Sequence, residues 1–257
     1  MEKIDVQKRV LQNGKPLDLN KFNWCSETRV FSSKENSLVI DFYNQSDCTF
    51  DTGWDCTFKT GSGCTFDTSS GCTFDTSWGC TFNTSLRCTF KTGSDCTFKT
   101  GTYCTFNTGS DCTFKTGSDC TFNAGWRCTF NTGSDCTFNA GSGSTFKPGW
   151  GCVIIRRDIF EIIQPNEGDF IELCPYGVSG HLVNGMKNGK PHIIVDGILS
   201  EVIKKRGNIY KVRNYGDDSF SYIVRNGDVS AHGKTIKEAR ESLKYKISDR
   251  DTSKCTC

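Results

Sequence analysis

Histidine, proline and methionine are scarce in this chain of 257 residues, which contains three, five and two of them respectively. Histidine is the side chain that titrates near neutral pH, so three histidines leave few candidates for general acid or base chemistry. His181, His192 and His232 lie in separate segments, and no nucleophile motif, phosphate-binding loop or carboxylate pair accompanies them. We therefore expect no active site and no enzymatic activity.

An excess of one charge and a long apolar run are also missing. The 31 basic residues nearly cancel the 29 acidic ones, so the net charge of +2 provides no broad field to attract nucleic acid or an anionic membrane. No apolar run reaches the roughly 18 residues that cross a bilayer, and the first residues lack the apolar stretch of a signal peptide. We expect neither a membrane nor a nucleic acid partner. The expected location is cytoplasmic (the host cytoplasm for a viral protein) or virion-associated.

Cysteine, in contrast, is abundant, and its spacing reveals an internal repeat. From Cys48 to Cys136 the pattern Cys-Thr-Phe-x-Thr-Gly-Ser-x recurs, and twelve cysteines follow one another at intervals of eight residues. Ser144 takes the place of cysteine in the next repeat, and Cys152 begins a last repeat that departs from the pattern. We call each repeat an octad and number its positions 1 to 8 from the cysteine. Short Thr-Phe strands between Gly-Ser turns predict stacked coils.

The predicted fold is mainly β. Residues 40–151 are expected to form a thin parallel β-solenoid with eight residues per coil, of either handedness and about 65 Å long at roughly 4.8 Å per coil. Side chains alternate along a strand, so positions 1, 3 and 5 should point inward. Glycine at position 6, as in Gly53 and Gly109, is predicted to supply a positive φ at a tight corner, although serine replaces it in three consecutive octads. The inward residues chosen to represent the structural core are Cys56, Phe58, Cys96, Phe98, Cys112 and Phe114.

The regular cysteines could also be read as metal ligands. Thiol ligands for zinc or copper converge in sets such as Cys-x-x-Cys pairs, whereas one cysteine per coil forms a column that does not converge. A reducing cytosol would keep these residues as thiols. We therefore predict core packing and expect neither a metal nor a cofactor.

The outward positions indicate what the repeats present to solvent. Between residues 48 and 151, eight aspartates face seven basic residues, so the repeats lack the strong acidity with which DNA-mimicking pentapeptide-repeat proteins imitate DNA. Threonine at position 2 forms an outward column with a spacing of roughly 4.8 Å, which is a feature of ice-binding faces. The neighbouring column at position 4 carries Asp, Lys and Asn, whose hydration disfavours ice binding. Threonine is also a common residue of solvated strands.

Position 7 carries the tryptophans of the repeats. They recur every third octad with one omission, and one coil per octad predicts a single stripe of indoles about 14 Å apart. Such a stripe is a candidate partner-binding surface. The alternative interpretation is that duplication of a three-octad unit copied a turn residue. The tryptophans of the stripe are Trp54, Trp78, Trp126 and Trp150.

The flanking segments should cap the open ends of the solenoid. Residues 1–39 are predicted to form N-terminal strands and a cap. Residues 152–257 are predicted to form a small α+β capping or binding domain, whose strands lie near 159–163, 170–173, 192–195, 209–213 and 220–225. A capping box at Thr235 and an apolar face at helical spacing predict a helix near 236–247.

These motifs resemble uncharacterised phage and prophage proteins built from Cys-Thr-Phe octapeptide repeats, which are loosely grouped with pentapeptide-repeat proteins. The resemblance rests on the repeat itself and on the segments 153–158, 190–196, 232–239 and 249–253. It implies a phage origin and no known activity, so no functional residues are transferred. We expect a non-enzymatic structural or binding protein that acts on an unknown protein partner or on itself. The alternative is a host-directed effector or inhibitor that acts through the C-terminal domain.

Overall fold

The computed structural model describes residues 1–216 and 219–248, and the chain forms two compact units. The first is Met1–Phe170, and the second begins at Ile171. The first unit contains the octads, which are preceded by N-terminal elements. Those elements are helix α1 (Lys3–Gln7), a 3-10 turn (Leu19–Lys21), β1 (Val10–Gln12), β2 (Lys15–Pro16), β3 (Asn23–Cys25), β4 (Val30–Ser32) and β5 (Leu38–Phe42).

Each octad contributes one short strand, centred on its phenylalanine. Positions 2 to 4 adopt strand geometry in each case, and the turn residues at positions 6 to 8 separate one strand from the next. The strands are β6 (Thr49–Thr52), β7 (Thr57–Thr60), β8 (Thr65–Thr68), β9 (Thr73–Asp75), β10 (Thr81–Asn83), β11 (Thr89–Lys91), β12 (Thr97–Lys99), β13 (Thr105–Asn107), β14 (Thr113–Lys115), β15 (Thr121–Asn123), β16 (Thr129–Asn131), β17 (Thr137–Ala140) and β18 (Thr145–Lys147).

The strands form a parallel β-solenoid, as predicted, but the coil is twice the predicted size. Each strand pairs with the second strand along the chain, so Phe82 lies beside Phe66 and Phe98, and Phe90 lies beside Phe74 and Phe106. One coil therefore contains sixteen residues, or two octads, and alternate octads form two separate sheets. The prediction of eight residues per coil was wrong, because one strand and one corner do not return the chain to its starting point. About eight turns at roughly 4.8 Å give a solenoid of about 38 Å rather than 65 Å.

The core consists of two columns of phenylalanine that face each other. Within one sheet, successive rings stack with centroids 4.7–5.2 Å apart and interplanar angles of 10° or less. Across the two sheets, rings meet edge to face, as in the 5.2 Å contact between Phe90 and Phe98 at 76°. This arrangement places the positive edge of one ring against the negative face of another, which is the preferred geometry of aromatic pairs.

The corners differ from the prediction in where the backbone enters the left-handed region. Positive φ occurs at position 8, for example in Asp111 (58°) and Tyr103 (59°), and not at the glycines of position 6. Position 6 requires a small residue because the coils approach closely there. A Cβ added to Gly109 would lie 2.7 Å from the backbone nitrogen of Ser94 in the preceding coil. Glycine at position 6 therefore allows successive coils to approach closely, while aspartate at position 8 tolerates the left-handed φ.

Both ends of the solenoid are closed by neighbouring segments. At the N-terminal end, β4 and β5 begin the two sheets, and Phe22 stacks on Phe31 with ring centroids 5.4 Å apart. At the other end, strands β19 (Val153–Arg156) and β20 (Glu161–Ile163) extend one sheet. Arg156 takes an inward position there, is fully buried and forms two 2.7 Å bonds with Asp158. The first unit therefore continues beyond the predicted boundary at 152, because residues 153–156 still pair in register with β17.

The second unit is a small α+β fold, as predicted. The strands predicted near 170–173, 192–195, 209–213 and 220–225 are present in this unit, whereas the strand predicted near 159–163 is β20 and extends the solenoid sheet. The C-terminal helix is confirmed, and in its capping box the amide of Glu238 donates to Thr235 Oγ1 at 3.2 Å. Val224, Ala231, Ala239 and Leu243 form the core between this helix and the sheet. The elements of the unit are β21 (Ile171–Leu173), β22 (His181–Val183), β23 (Met186–Lys187), β24 (Lys190–Val195), β25 (Ile198–Arg206), β26 (Ile209–Asn214), β27 (Phe220–Asn226), β28 (Val229–Gly233) and α2 (Ile236–Ser248).

Candidate functional site

The predicted core residues of the solenoid are all buried. Each of the six exposes at most 1 % of its surface. Several threonines at position 5 also point inward and are buried. The Thr60 hydroxyl donates to Gly61 O at 3.4 Å, whereas the hydroxyl of Thr68 has no hydrogen-bond partner among the described residues. The interior of the solenoid is therefore filled by cysteine, phenylalanine and threonine side chains. The six residues are Cys56, Phe58, Cys96, Phe98, Cys112 and Phe114.

The cysteine thiols form two columns, one beside each sheet. Each thiol donates towards backbone carbonyls at the corner. Cys112 Sγ, for example, lies 3.4 Å from Ser110 O and 3.6 Å from Gly93 O. A hydrogen bond with the Cys128 thiol and burial together raise the pKa of Cys112 to about 11. Among the described residues, no three His, Cys, Asp or Glu side chains form a group that could hold a metal ion. The cysteines of the repeats are buried and therefore act as small packing groups between the strands and the corner carbonyls.

The sixteen-residue coil divides the predicted tryptophan stripe between two corners. Trp54 and Trp150 follow strands of one sheet, whereas Trp78 and Trp126 follow strands of the other. Edge 1 therefore carries Trp54 and Trp150, six coils or roughly 29 Å apart, and edge 2 carries Trp78 and Trp126, three coils or roughly 14 Å apart. The four indoles are between 51 % and 67 % exposed. A single partner that follows one edge can contact two of them.

Serine is the usual residue at position 7, and the structure gives it a role at the corner. Ser94 Oγ accepts from the amide of Ser110 at 3.0 Å, and Ser110 Oγ accepts from the amide of Trp126 at 3.2 Å. The hydroxyl thus links one coil to the coil above it. The indole side chain has no hydrogen-bond acceptor, so a tryptophan at this position cannot form this link between coils, and it exposes a large ring.

The outer face of each sheet carries one column of threonine beside one column of Asp, Lys and Asn. Neighbouring groups in the second column bond to one another along the solenoid. Asn83 Nδ2 donates to Asp67 Oδ1 at 3.0 Å, and Asn123 Nδ2 donates to Asn107 Oδ1 at 3.3 Å. Neither face pairs two threonine columns. The faces are polar ladders, and no observation on them favours ice binding.

The three histidines of the second unit lie on three different strands: His181 on β22, His192 on β24 and His232 on β28. His192 Nδ1 lies 2.9 Å from Lys190 O. His232 Nε2 lies 3.1 Å from Ser221 Oγ, which in turn donates to Asn214 Oδ1 at 2.8 Å. Ser221 is 3 % exposed, and burial lowers the pKa of His232. This polar row crosses neighbouring strands inside the unit and presents no nucleophile to a substrate.

A cationic pocket lies on the sheet of the second unit and was not predicted from the sequence. It measures about 400 Å³ and lies beside the start of helix α2. Lys204 and Arg206 lie along β25, and Lys211 lies on β26 directly opposite Lys204. The run Lys204-Lys205-Arg206 and the alternation of cations with apolar residues in β26 were the available signals. The pocket is lined by Lys204, Arg206, Ile209, Lys211, Tyr222 and Ile236.

Compared with known proteins, the chain matches no protein-family profile, no curated protein and no solved structure. In the part of the chain that the structure describes, no helix is both long enough and apolar enough to span a bilayer.

Proposed function

We propose that this chain is a non-enzymatic structural or binding protein of phage origin. Its solenoid presents polar ladders and two tryptophan-bearing edges to a protein partner or to a second copy of the chain. The observation that carries the proposal is the exposure of Trp54, Trp78, Trp126 and Trp150 (51 % to 67 %) on a unit that buries the phenylalanines of its repeats. Large exposed aromatic rings are typical anchors of protein interfaces.

The corner geometry argues that these tryptophans do not serve the fold. At the equivalent positions Ser94 and Ser110 link successive coils through their hydroxyl groups. Tryptophan loses that hydrogen bond and places apolar surface in water, so both effects disfavour it for stability alone. Leu86 occupies the same column as Trp54 and Trp150 and is 40 % exposed, which extends the apolar character of edge 1.

Serine substitution tests the edges without disturbing the coil, because serine is the native residue of most octads at this position. Two double variants separate the edges: Trp54→Ser with Trp150→Ser, and Trp78→Ser with Trp126→Ser. The immobilised full-length chain is exposed to lysates of infected and uninfected host cells, and its self-association is followed by sedimentation velocity. We expect the wild type to retain virion components or its own chain. In at least one double variant, this binding should be at least tenfold weaker.

Tyr103→Asn provides the matched control, because Tyr103 is equally exposed (58 %) but occupies position 8. It should bind like the wild type. If both tryptophan variants retain virion components to the same extent as the wild type, the edges are not binding surfaces. The tryptophans would then be turn residues that were copied by duplication of the repeats.

The alternative is a host-directed effector that acts through the second unit, and the cationic pocket there is the observation that supports it. In that case a single host protein would be retained by wild type and by both tryptophan variants, and it would be lost on substitution of Lys204 and Lys211.

A further inference from the structure

The two units differ in charge, although the whole chain is nearly neutral. Residues 1–170 contain sixteen basic and nineteen acidic residues, whereas residues 171–257 contain fifteen basic and ten acidic ones. We based the expectation that nucleic acid is not a partner on the net charge of the whole chain, which sums the two units. The second unit alone carries a net positive charge, and part of that charge is gathered at the pocket beside α2.

The cations at this pocket lie close to one another on one face of the sheet, so they repel each other when no anion is bound. Lys204 and Lys211 are directly opposite each other in the β25–β26 pair, and like charges in that relation repel. Arg206 lies two residues beyond Lys204 on the same face, about 7 Å along the strand. The described residues supply no acidic partner within ion-pair distance for any of the three. An anion with more than one negative charge would relieve this repulsion.

The floor of the pocket is apolar and includes an aromatic ring. Tyr222 is paired with Lys211 across the β26–β27 ladder, and Ile209 and Ile236 complete the floor beneath the cations. A volume of about 400 Å³ is sufficient for a planar group of the size of a nucleobase. An aromatic and aliphatic floor with cations at its rim suits a ligand whose planar apolar part lies between negative charges.

We propose that this pocket binds single-stranded nucleic acid. One base lies on the floor formed by Ile209, Tyr222 and Ile236, and the flanking phosphates contact Lys204, Arg206 and Lys211. A double helix cannot place a base on this floor, because its bases are stacked and paired inside the duplex. An acidic peptide could neutralise the cations but would not use the aromatic floor. This proposal is independent of the binding function proposed for the edges of the solenoid.

Fluorescence anisotropy with the full-length chain tests the proposal, with a labelled 12-nucleotide oligo(dT), a mixed-sequence duplex of equal length and poly-L-glutamate as probes. Oligo(dT) should bind at least tenfold more tightly than the duplex and should not be displaced by poly-L-glutamate. Its affinity should fall with salt with a logarithmic slope of about −2, because each of three neutralised phosphates contributes roughly −0.7.

Lys204→Gln with Lys211→Gln should weaken oligo(dT) binding at least tenfold and reduce the salt slope by about 1.4. Tyr222→Leu, which keeps an apolar side chain but removes the ring, should weaken binding by about tenfold at unchanged salt slope. The matched control is Lys99→Gln with Lys115→Gln. These lysines are also exposed and paired across neighbouring strands, but they lie in the first unit without an apolar pocket. This control should bind like the wild type.

Four results would each overturn the proposal: no binding of oligo(dT), equal binding of the duplex, displacement by poly-L-glutamate, or equal losses in the Lys204/Lys211 and Lys99/Lys115 variants. Thermal unfolding of every variant, followed by circular dichroism, verifies that lost binding is not lost folding.

Discussion

The ring of Phe98 stacks on the ring of Phe82, with centroids 4.9 Å apart and an interplanar angle of 3°, although sixteen residues separate them in the chain. Phe98 meets Phe114 in the same way at 4.8 Å and contacts Phe90 and Phe106 edge to face. One phenylalanine thus joins three successive coils and both sheets.

Phe98→Ala should therefore destabilise the solenoid strongly. The substitution removes four aromatic contacts and leaves a cavity in a fully packed core, so we expect a loss of about 3–5 kcal/mol in the free energy of unfolding. Chemical denaturation measures this loss. Lys99→Ala, at an exposed position 4, is the control and should change stability by less than about 0.5 kcal/mol. A loss below about 1 kcal/mol for Phe98→Ala would contradict the stacked core.

Gly109→Ala tests the close approach of the coils. The new Cβ would lie 2.7 Å from Ser94 N and 2.4 Å from Ser94 Oγ, so the corner must shift and the hydrogen bond from Ser110 to Ser94 must weaken. We expect a loss of about 1–3 kcal/mol, which is typical of overpacking. Unchanged stability in urea denaturation would show that the corners are looser than the structure indicates.

Tyr103→Asn should stabilise the solenoid. Tyr103 adopts a left-handed φ of 59° at an exposed corner. A residue with a bulky side chain pays a conformational penalty in this region, whereas asparagine tolerates it. We expect a gain of about 0.5–1 kcal/mol, measured as a higher melting temperature. The same substitution of Asp119, which already tolerates a left-handed φ of 56°, should have little effect.

Alkaline pH should destabilise the solenoid through the thiols of Cys112 and Cys136. Hydrogen bonding with neighbouring thiols and burial raise the pKa of Cys112 and of Cys136 to about 11. An unfolded cysteine has a pKa near 8.5, so the folded state retains protons that the unfolded state releases. Stability should be complete below about pH 8.5 and should decline as the pH rises to about 11.

Cys112→Ser with Cys136→Ser provides the control for this pH dependence. Serine already occupies the equivalent position at Ser144, which is fully buried and accepts from the amide of Cys128 at 3.2 Å. The double variant should fold and should lose a measurable part of the decline in melting temperature between pH 8.5 and 11. If the melting temperature of the variant declines as much as that of the wild type, groups other than these two thiols cause the pH dependence.

Much of the second unit's secondary structure follows from local sequence. The capping box at Thr235 fixes the start of α2. Segments rich in residues with high β-propensity, between turns that contain glycine, mark most strands. The cationic pocket was not predicted, because Lys204, Lys211 and Tyr222 lie on three different strands. Their juxtaposition depends on the register of two ladders, which includes an irregularity between Val202 and Lys204.

In the solenoid, the strands, the inward columns of cysteine and phenylalanine and the parallel stacking all follow from local sequence, because alternation along a strand and a strict period of eight dictate them. The size of the coil, in contrast, is fixed by long-range packing. Any whole number of octads per coil aligns the same positions in columns, so periodicity does not distinguish eight residues from sixteen. The packing of Phe90 against Phe98 across two sheets selects sixteen, and that choice places Trp78 and Trp126 on a different edge from Trp54 and Trp150.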